Sequence, residues 1–342
     1  MRILNRDDVA LAMKDQELAV LGAVQRAYVA HEAGQTQVPY STFLRPPDAP
    51  ESRIIALPAY LGGRDPAIGI KWISSFPANV GRGQQRASAV SVLNDLETGY
   101  PVAIMESSRI SAARTAASGA LASHLLHGDH RVHTVGLIGC GTINRATLTY
   151  LRLTHPEIRD VVVHDAVPRH AEIAAAQLAH DFPGVTFGTG DVAATLRADT
   201  VSIATTDSTY WLDLTSHVGR AVPQVVLHLS LRDLSVPSVL RAFNVVDDVD
   251  HALQKETSLH RAEQEMGHRA FVHATLGQLI TGGPLRRPGT TAIFSPFGLG
   301  VLDLAVSAQI LRVAVEAGIG TTVTGFDPGP HGVTGTRTGD PS

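Results

Sequence analysis

Cysteine is nearly missing from this sequence. Cys140 is the single thiol among 342 residues, which excludes an internal disulfide framework and fits a reducing compartment. No apolar run approaches the ~18 residues that a membrane-crossing helix needs. No long basic stretch is present and the formal net charge is −4, so neither nucleic acid nor a membrane is an expected partner. The opening MRILNRDDVALAM breaks its apolar residues with charges at once, unlike a signal or transit peptide. The expectation is a soluble, cytoplasmic protein. H-E-x-x-H, C-x-x-C, G-x-S-x-G and P-loop patterns are also absent, which disfavours zinc hydrolase, serine hydrolase and NTPase chemistry. HGDHRVH at 127–133 has a metal-like histidine spacing without a set of acids or cysteines beside it, and reads as a polar connector; no metal is expected.

Hydrophobic residues, by contrast, make up 44% of the chain, ample for a core and more than one domain. Leu18, Leu21, Val24 and Tyr28 mark a helical stripe closed by Gly34. Three β-rich runs follow: TQVPYSTFLR, SRIIALPAYLG and AIGIKWISSFP. A hairpin turning at 94–99 and a helix of small residues, ISAARTAASGALASHLL, come next. From Arg131 strands and helical segments alternate through HTVGLIG, DVVVHD, VTFG, TVSIATT, QVVLHLS and NVVDDV. That rhythm predicts an α/β fold with a doubly wound parallel sheet of the Rossmann type. TTAIFSPFG then reads as a strand, and LGVLDLAVSAQILRVAVEAG as a long helix packing back on the N-terminal strands. The predicted division is a discontinuous α+β domain at 1–128 and 296–324, a nucleotide domain at 129–295, and a disordered tail at 325–342, where eight of eighteen residues are Gly or Pro.

Within the second domain, TVGLIGCGTINRATLTYL places Gly139 and Gly141 between an apolar strand and a helix starting at Thr142 and Ile143, with Asn144 where a third glycine is common. The first glycine permits the tight turn and the second lets backbone N–H groups approach a pyrophosphate, where the helix macrodipole favours anions. The third serves packing only, so Asn144 is expected to loosen that packing, keep the anion site and offer a donor. Asp165 ends the next strand, suits the adenosine ribose and would repel a 2′-phosphate, pointing to NAD; Arg169 or His170 would soften that choice. Thr205 and Thr206 end the fourth strand on the ligand-binding edge, or simply finish it. Cys140 reads as a small spacer in the turn rather than a nucleophile.

The stretch from Gly69 to Ala122 is more specific. Lys71, Pro77–Asn79–Gly83, Asp95–Thr98–Gly99–Pro101 and Arg114–Thr115–Ala116–Ala117 follow one another there, flanked by ALPAY at 56–60 and FSPFGLGVLDLAV at 294–306. This pattern resembles the ornithine cyclodeaminase/μ-crystallin family across about residues 1–318. The resemblance implies a homodimer whose substrate and dimerisation domain comes from both chain ends, around a Rossmann domain that binds NAD(P). It also implies that Arg114 grips the substrate carboxylate beside the nicotinamide and that Lys71 binds substrate or moves a proton. A planar guanidinium fork and a lysine depressed by burial are suited to those tasks. Arg53 and Arg45 could add a second anion clamp, Asp303 could cap or orient its segment, and Gly298 could let the backbone approach the nicotinamide.

Three departures shift the expected substrate. Ile55 stands where ornithine-cyclising members carry a glutamate for the amine. HLSLRDL runs straight from His228 to Arg232–Asp233 without the short loop that bears their aspartate. Arg86 replaces a Thr or Ser. Two anions lost and one cation gained favour a more anionic substrate. IKWISSFP, RASA, ALPAYLGG and SLRDL are similar to the branch that forms 2,3-diaminopropionate for siderophores and peptide antibiotics from N-(2-amino-2-carboxyethyl)-L-glutamate, an amino-acid conjugate. The expectation is that Arg53, Lys71, Arg86 and Arg114 hold its carboxylates and that Lys71, with Asp233 or His228, moves protons. Ornithine cyclodeaminase, ketimine reductase or amino-acid dehydrogenase activity is the alternative, and a non-catalytic nucleotide-loaded protein is another.

Overall fold

The computed structural model describes residues 1–217, 224–284 and 289–326. The tail expected to be disordered lies, from residue 327 on, outside them. Two eight-stranded sheets organise the chain. The first contains β1 (Arg2–Leu4), β2 (Thr36–Gln37), β3 (Thr42–Leu44), β4 (Arg53–Leu61), β5 (Ala67–Ser75), β6 (Ala87–Asn94) and β7 (Pro101–Glu106). A strand from the other end of the chain, Thr321–Thr322, pairs with β1. β4 to β7 form an antiparallel meander, and β1 joins β7 in parallel. TQVPYSTFLR, expected as one run, is two short strands on β4, because Pro39 falls between them and cannot donate to a ladder.

Strand alternation sorts the side chains of this sheet. On the inner face Arg53, Ile55 and Leu57 of β4 stand opposite Ser75, Ile73 and Lys71 of β5. That face packs against the helices Ser108–His127 and Gly300–Glu316, the latter returning to the N-terminal strands as its apolar stripe predicts. The outer face carries Ile3, Tyr60, Ile68, Trp72 and Val102, all exposed.

The second sheet is parallel throughout: β8 (Thr134–Ile138), β9 (Asp160–His164), β10 (Thr186–Thr189), β11 (Thr200–Ile203), β12 (Val225–His228), β13 (Phe243–Val246), β14 (Val272–Thr275) and β15 (Ala292–Phe294). Its order is β10-β9-β8-β11-β12-β15-β13-β14, so the winding reverses between β8 and β11. Ligands of doubly wound sheets bind at such a reversal. β15, from TTAIFSPFG, slots between β12 and β13, and the four-residue β14 has too little pattern to read from sequence. The small-residue helix Ser108–His127 lies against both units: its Gly119 brings the backbone close to Leu227 of β12, and its Ser118 accepts a 3.0 Å bond from Tyr28. Among the described residues no helix is long and apolar enough to cross a membrane.

Candidate functional site

The glycine turn sits at the reversal point. Gly139 has φ +93°, and a Cβ there would lie 2.4 Å from the Ala204 carbonyl oxygen at the end of β11, so only glycine fits. Gly141 is the exposed N-cap of the helix Thr142–Thr154, and nothing crowds its Cα hydrogens, which leaves the first-turn amides of Thr142 and Ile143 open to an anion. Asn144 departs from expectation. Its side chain is buried; Nδ2 donates to the carbonyls of Ile138 (2.9 Å) and Gly139 (2.7 Å), and Oδ1 accepts from Ser202 Oγ at 2.7 Å. It therefore tightens the β8–β11 junction instead of loosening it, and its donors face inward, away from the anion position.

Asp165 stands next to the turn, its carboxylate accepting from the Cys140 N–H at 3.1 Å and the Val167 N–H at 3.0 Å, with His170 Nδ1 3.5 Å away. Burial and then the Asp165 charge push the Cys140 thiol up to about 12, which leaves it inert near neutral pH. Thr205 donates its hydroxyl to Asp233 and accepts from the Asp207 N–H, while Thr206 is exposed at the strand end. Of the 127–133 histidines, His127 bonds Thr200 Oγ1 at 2.9 Å and the His133 N–H goes to Asp199.

On the first sheet's inner face, Lys71 and Arg114 converge on one carboxylate. Lys71 Nζ is 2.7 Å from Asp303 Oδ2, and Arg114 Nε is 3.1 Å from Oδ1; Ser111 Oγ lies 3.3 Å from the ammonium. Asp303 is fully buried and Lys71 nearly so. Burial, together with the nearby Arg114 charge, lowers Lys71 to about 8 against the pull of Asp303. Asp303 is held below the usual carboxylate range because Arg114 and Lys71 outweigh its burial. Gly298, at φ +98° in the loop after β15, meets this group: a Cβ there would be 2.9 Å from both terminal nitrogens of Arg114. The close approach that Gly298 allows is thus that of Arg114. The loop is fixed by Asp247 at the end of β13, which accepts from the N–H groups of Phe297 (3.0 Å) and Gly298 (2.6 Å).

The other expected substrate residues share this face. Arg53 faces Ser75 in register, and Arg86 donates to Ser75 Oγ at 2.7 Å. The P-x-N-x-x-x-G segment delivers Arg86: Pro77–Arg82 forms a 3-10 turn, and Asn79 accepts from the Gln84 N–H and donates to the Gln85 carbonyl. Arg45 follows β3 at the same corner and is exposed, with Nη1 on the Pro50 carbonyl. D-x-x-T-G-x-P is a hairpin turn, in which Asp95 Oδ1 accepts from Thr98 N and Oγ1. Asp233, expected as a proton carrier, has none of the Lys71 group among its side-chain hydrogen-bond partners. It is fully buried, and Thr205, Ser230 and His228 occupy its oxygens; their hydrogen bonds, outweighing burial, hold it below the usual range. His228 is buried with it and reaches Ser295. The carboxylate that Lys71 meets is Asp303, whose role sequence reasoning left open. An aspartate in a helix's first turn already has a local explanation in the macrodipole, and nothing in the sequence ties it to a lysine 232 residues away.

Comparison with known proteins agrees with this architecture. The family model for the ornithine cyclodeaminase/mu-crystallin family matches residues 3–221. The chain is 30% identical to an N-((2S)-2-amino-2-carboxyethyl)-L-glutamate dehydrogenase of Staphylococcus aureus, covering 94% of this chain and 98% of that protein. It is 27% identical to an alanine dehydrogenase of Archaeoglobus fulgidus, over 95% and 98%. Among solved structures, the Thermococcus litoralis Delta(1)-pyrroline-2-carboxylate reductase in complex with NADH and L-proline superposes with a TM-score of 0.86 at 24% identity, covering 94% of this chain and all of the other. By its matched length and its full-length relatives, this chain belongs to the ornithine cyclodeaminase/mu-crystallin family.

Proposed function

We propose that this chain is an NAD-dependent oxidoreductase acting on a CH–NH bond, and that it cleaves N-(2-amino-2-carboxyethyl)-L-glutamate to L-2,3-diaminopropionate and 2-oxoglutarate. One observation carries the reading: Arg53, Lys71, Arg86 and Arg114 belong to one sheet face and its covering helix, with apolar Ile55 among them. Such a surface suits a substrate with several carboxylates and repels the cationic side chain of ornithine. The 30% identical relative bears the name of this activity. In this reading the unit made of 1–128 and 296–324 takes the substrate and 129–295 takes the nucleotide.

NAD⁺ held at the turn supplies the hydride acceptor. Gly139, Gly141, the Thr142 and Ile143 amides, Asp165 and the edge formed by Thr205, Thr206 and Gly298 would hold it, with Asn144 supporting the turn from beneath. Arg114, held beside the Gly298 loop by Asp303, would grip the glutamyl α-carboxylate. Hydride leaves the glutamyl Cα while the secondary amine nitrogen forms a C=N bond, releasing its proton. Lys71 relays both protons of the added water to nitrogen, the first as hydroxide joins the imine carbon and the second from the resulting hydroxyl as the C=O bond forms and the C–N bond breaks. The sum is conjugate, NAD⁺ and water giving the diamine acid, the oxoacid, NADH and a proton.

The exposed apolar face of the first sheet supports a homodimer, since patches of that kind mark association surfaces. Service to siderophore or peptide-antibiotic assembly in the cytoplasm completes the proposal. Product analysis tests it: 2-oxoglutarate and diaminopropionate formed from the conjugate with NAD⁺ are expected. Proline and ammonia from ornithine, with the conjugate untouched, would end this reading in favour of cyclodeamination.

A further inference from the structure

Beyond the Lys71 group, four arginines gather where the two units meet. Arg53 and Arg86 meet at Ser75, and Arg45 continues from β3, whose Leu44 pairs with Ile54 next to Arg53. The fourth, Arg232, comes from the nucleotide unit, just beyond β12. Its Nη2 donates to the Lys255 carbonyl at 2.5 Å, and Lys255 Nζ lies 5.0 Å over the ring of Phe43 in β3, which brings this loop to the sheet's corner. The charge of Arg232 bears on Arg53, and that of Arg45 on Arg232. The side-chain hydrogen bonds seen for Arg45, Arg86 and Arg232 go to neutral oxygens, and among the described residues none of the four arginines is in an ion pair. Among the described residues only Glu256 and Asp233, both beside Arg232, bear on the group as anions, and like charges gathered with so little counter-charge are unfavourable unless a ligand supplies more.

A second, independent feature marks the same place. Non-glycine residues with left-handed φ are uncommon and strained. Of the five in the described chain, four surround Arg232: Leu231 precedes it, Tyr210 donates its N–H to the Arg232 carbonyl, and Lys255 and Glu256 form the turn that receives its guanidinium. Tyr210 Oη also donates to the Glu256 carbonyl at 2.5 Å, and the Ser258 N–H bonds the Leu231 carbonyl at 2.8 Å. Strain of this kind persists where surrounding structure fixes a functional side chain.

We propose that Arg232, held by these strained turns, completes with Arg45, Arg53 and Arg86 a cage for the remote carboxylate of a dicarboxylate substrate, so that the nucleotide unit itself reads the substrate's far end. The inference rests on the oligocarboxylate reading above and adds a specificity residue to it. Glutarate and valerate, a diacid and a monoacid of equal length, are the probes, titrated by calorimetry in the presence of NADH. Wild-type protein is expected to bind glutarate at least about ten-fold tighter than valerate, the scale of one charge-assisted contact. Arg232→Gln should lose about that factor for glutarate alone, and Arg53→Gln, which keeps the loop intact, should do the same. Arg159→Gln, an exposed change of equal charge at the start of β9, should leave both affinities as they are. In turnover of the conjugate, Arg232→Gln should raise KM while kcat stays within about two-fold. Wild-type glutarate affinity in Arg232→Gln and Arg53→Gln, or an equal loss for both acids, overturns the cage. If the conjugate is not turned over yet the diacid preference and its loss persist, the cage stands and the assigned reaction falls.

Discussion

Lys71 is the residue on which the proposed chemistry turns. Its ammonium, lowered to about 8 mainly by burial, is half titrated close to physiological pH. If it accepts a proton from water, kcat/KM rises with pH to a plateau with a midpoint near 8, and Lys71→Met removes both the inflection and most of kcat while NADH still binds. The folded pKa lies below the unfolded one, so the folded chain sheds this proton first. Lys71 therefore weakens the fold most below pH 8, and its cost fades toward about 10.4, the value for an unfolded lysine. Asp303→Asn leaves a buried ammonium and guanidinium without their shared anion; urea unfolding should show a loss of about 3–5 kcal/mol. Lys71 and Arg114 were legible because each sits in a dense motif. Asp303 was not, because a tertiary ion pair leaves no periodicity in sequence.

At the level of elements, the glycine turn was legible and its asparagine was misread. Gly139→Ala adds a Cβ against the Ala204 carbonyl at a left-handed position; a loss of about 1–3 kcal/mol and weaker NADH fluorescence enhancement are expected. Asn144→Gly restores the usual third glycine, yet it deletes the bonds to Ile138, Gly139 and Ser202. It should destabilise by about 1–3 kcal/mol, read by chemical denaturation, with NAD affinity retained. A fingerprint read by residue identity alone treats such a replacement as a defect. Here hydrogen bonding does what close packing does elsewhere. The Asp95–Pro101 turn and the long returning helix were predictable from local chemistry, whereas the placement of β15 between β12 and β13 depends on contacts that no local pattern records.

For the whole molecule, the apolar outer face of the first sheet is the expected seat of a second copy. Trp72→Glu, on the face opposite Lys71, should shift the protein toward monomer in sedimentation velocity while the monomer stays folded by circular dichroism. The alternation in IKWISS shows that β5 has two distinct faces, but not which one is covered; the helices Ser108–His127 and Gly300–Glu316 cover the Lys71 side and leave the Trp72 side exposed.

The span of the Lys71–Asp303 pair has its own consequence. Lys71 and Arg114 are translated 232 and 189 residues ahead of Asp303, their shared counter-ion. A product that stops before residue 300 holds two cations with nothing to neutralise them, and should be recognised by proteases as unfinished.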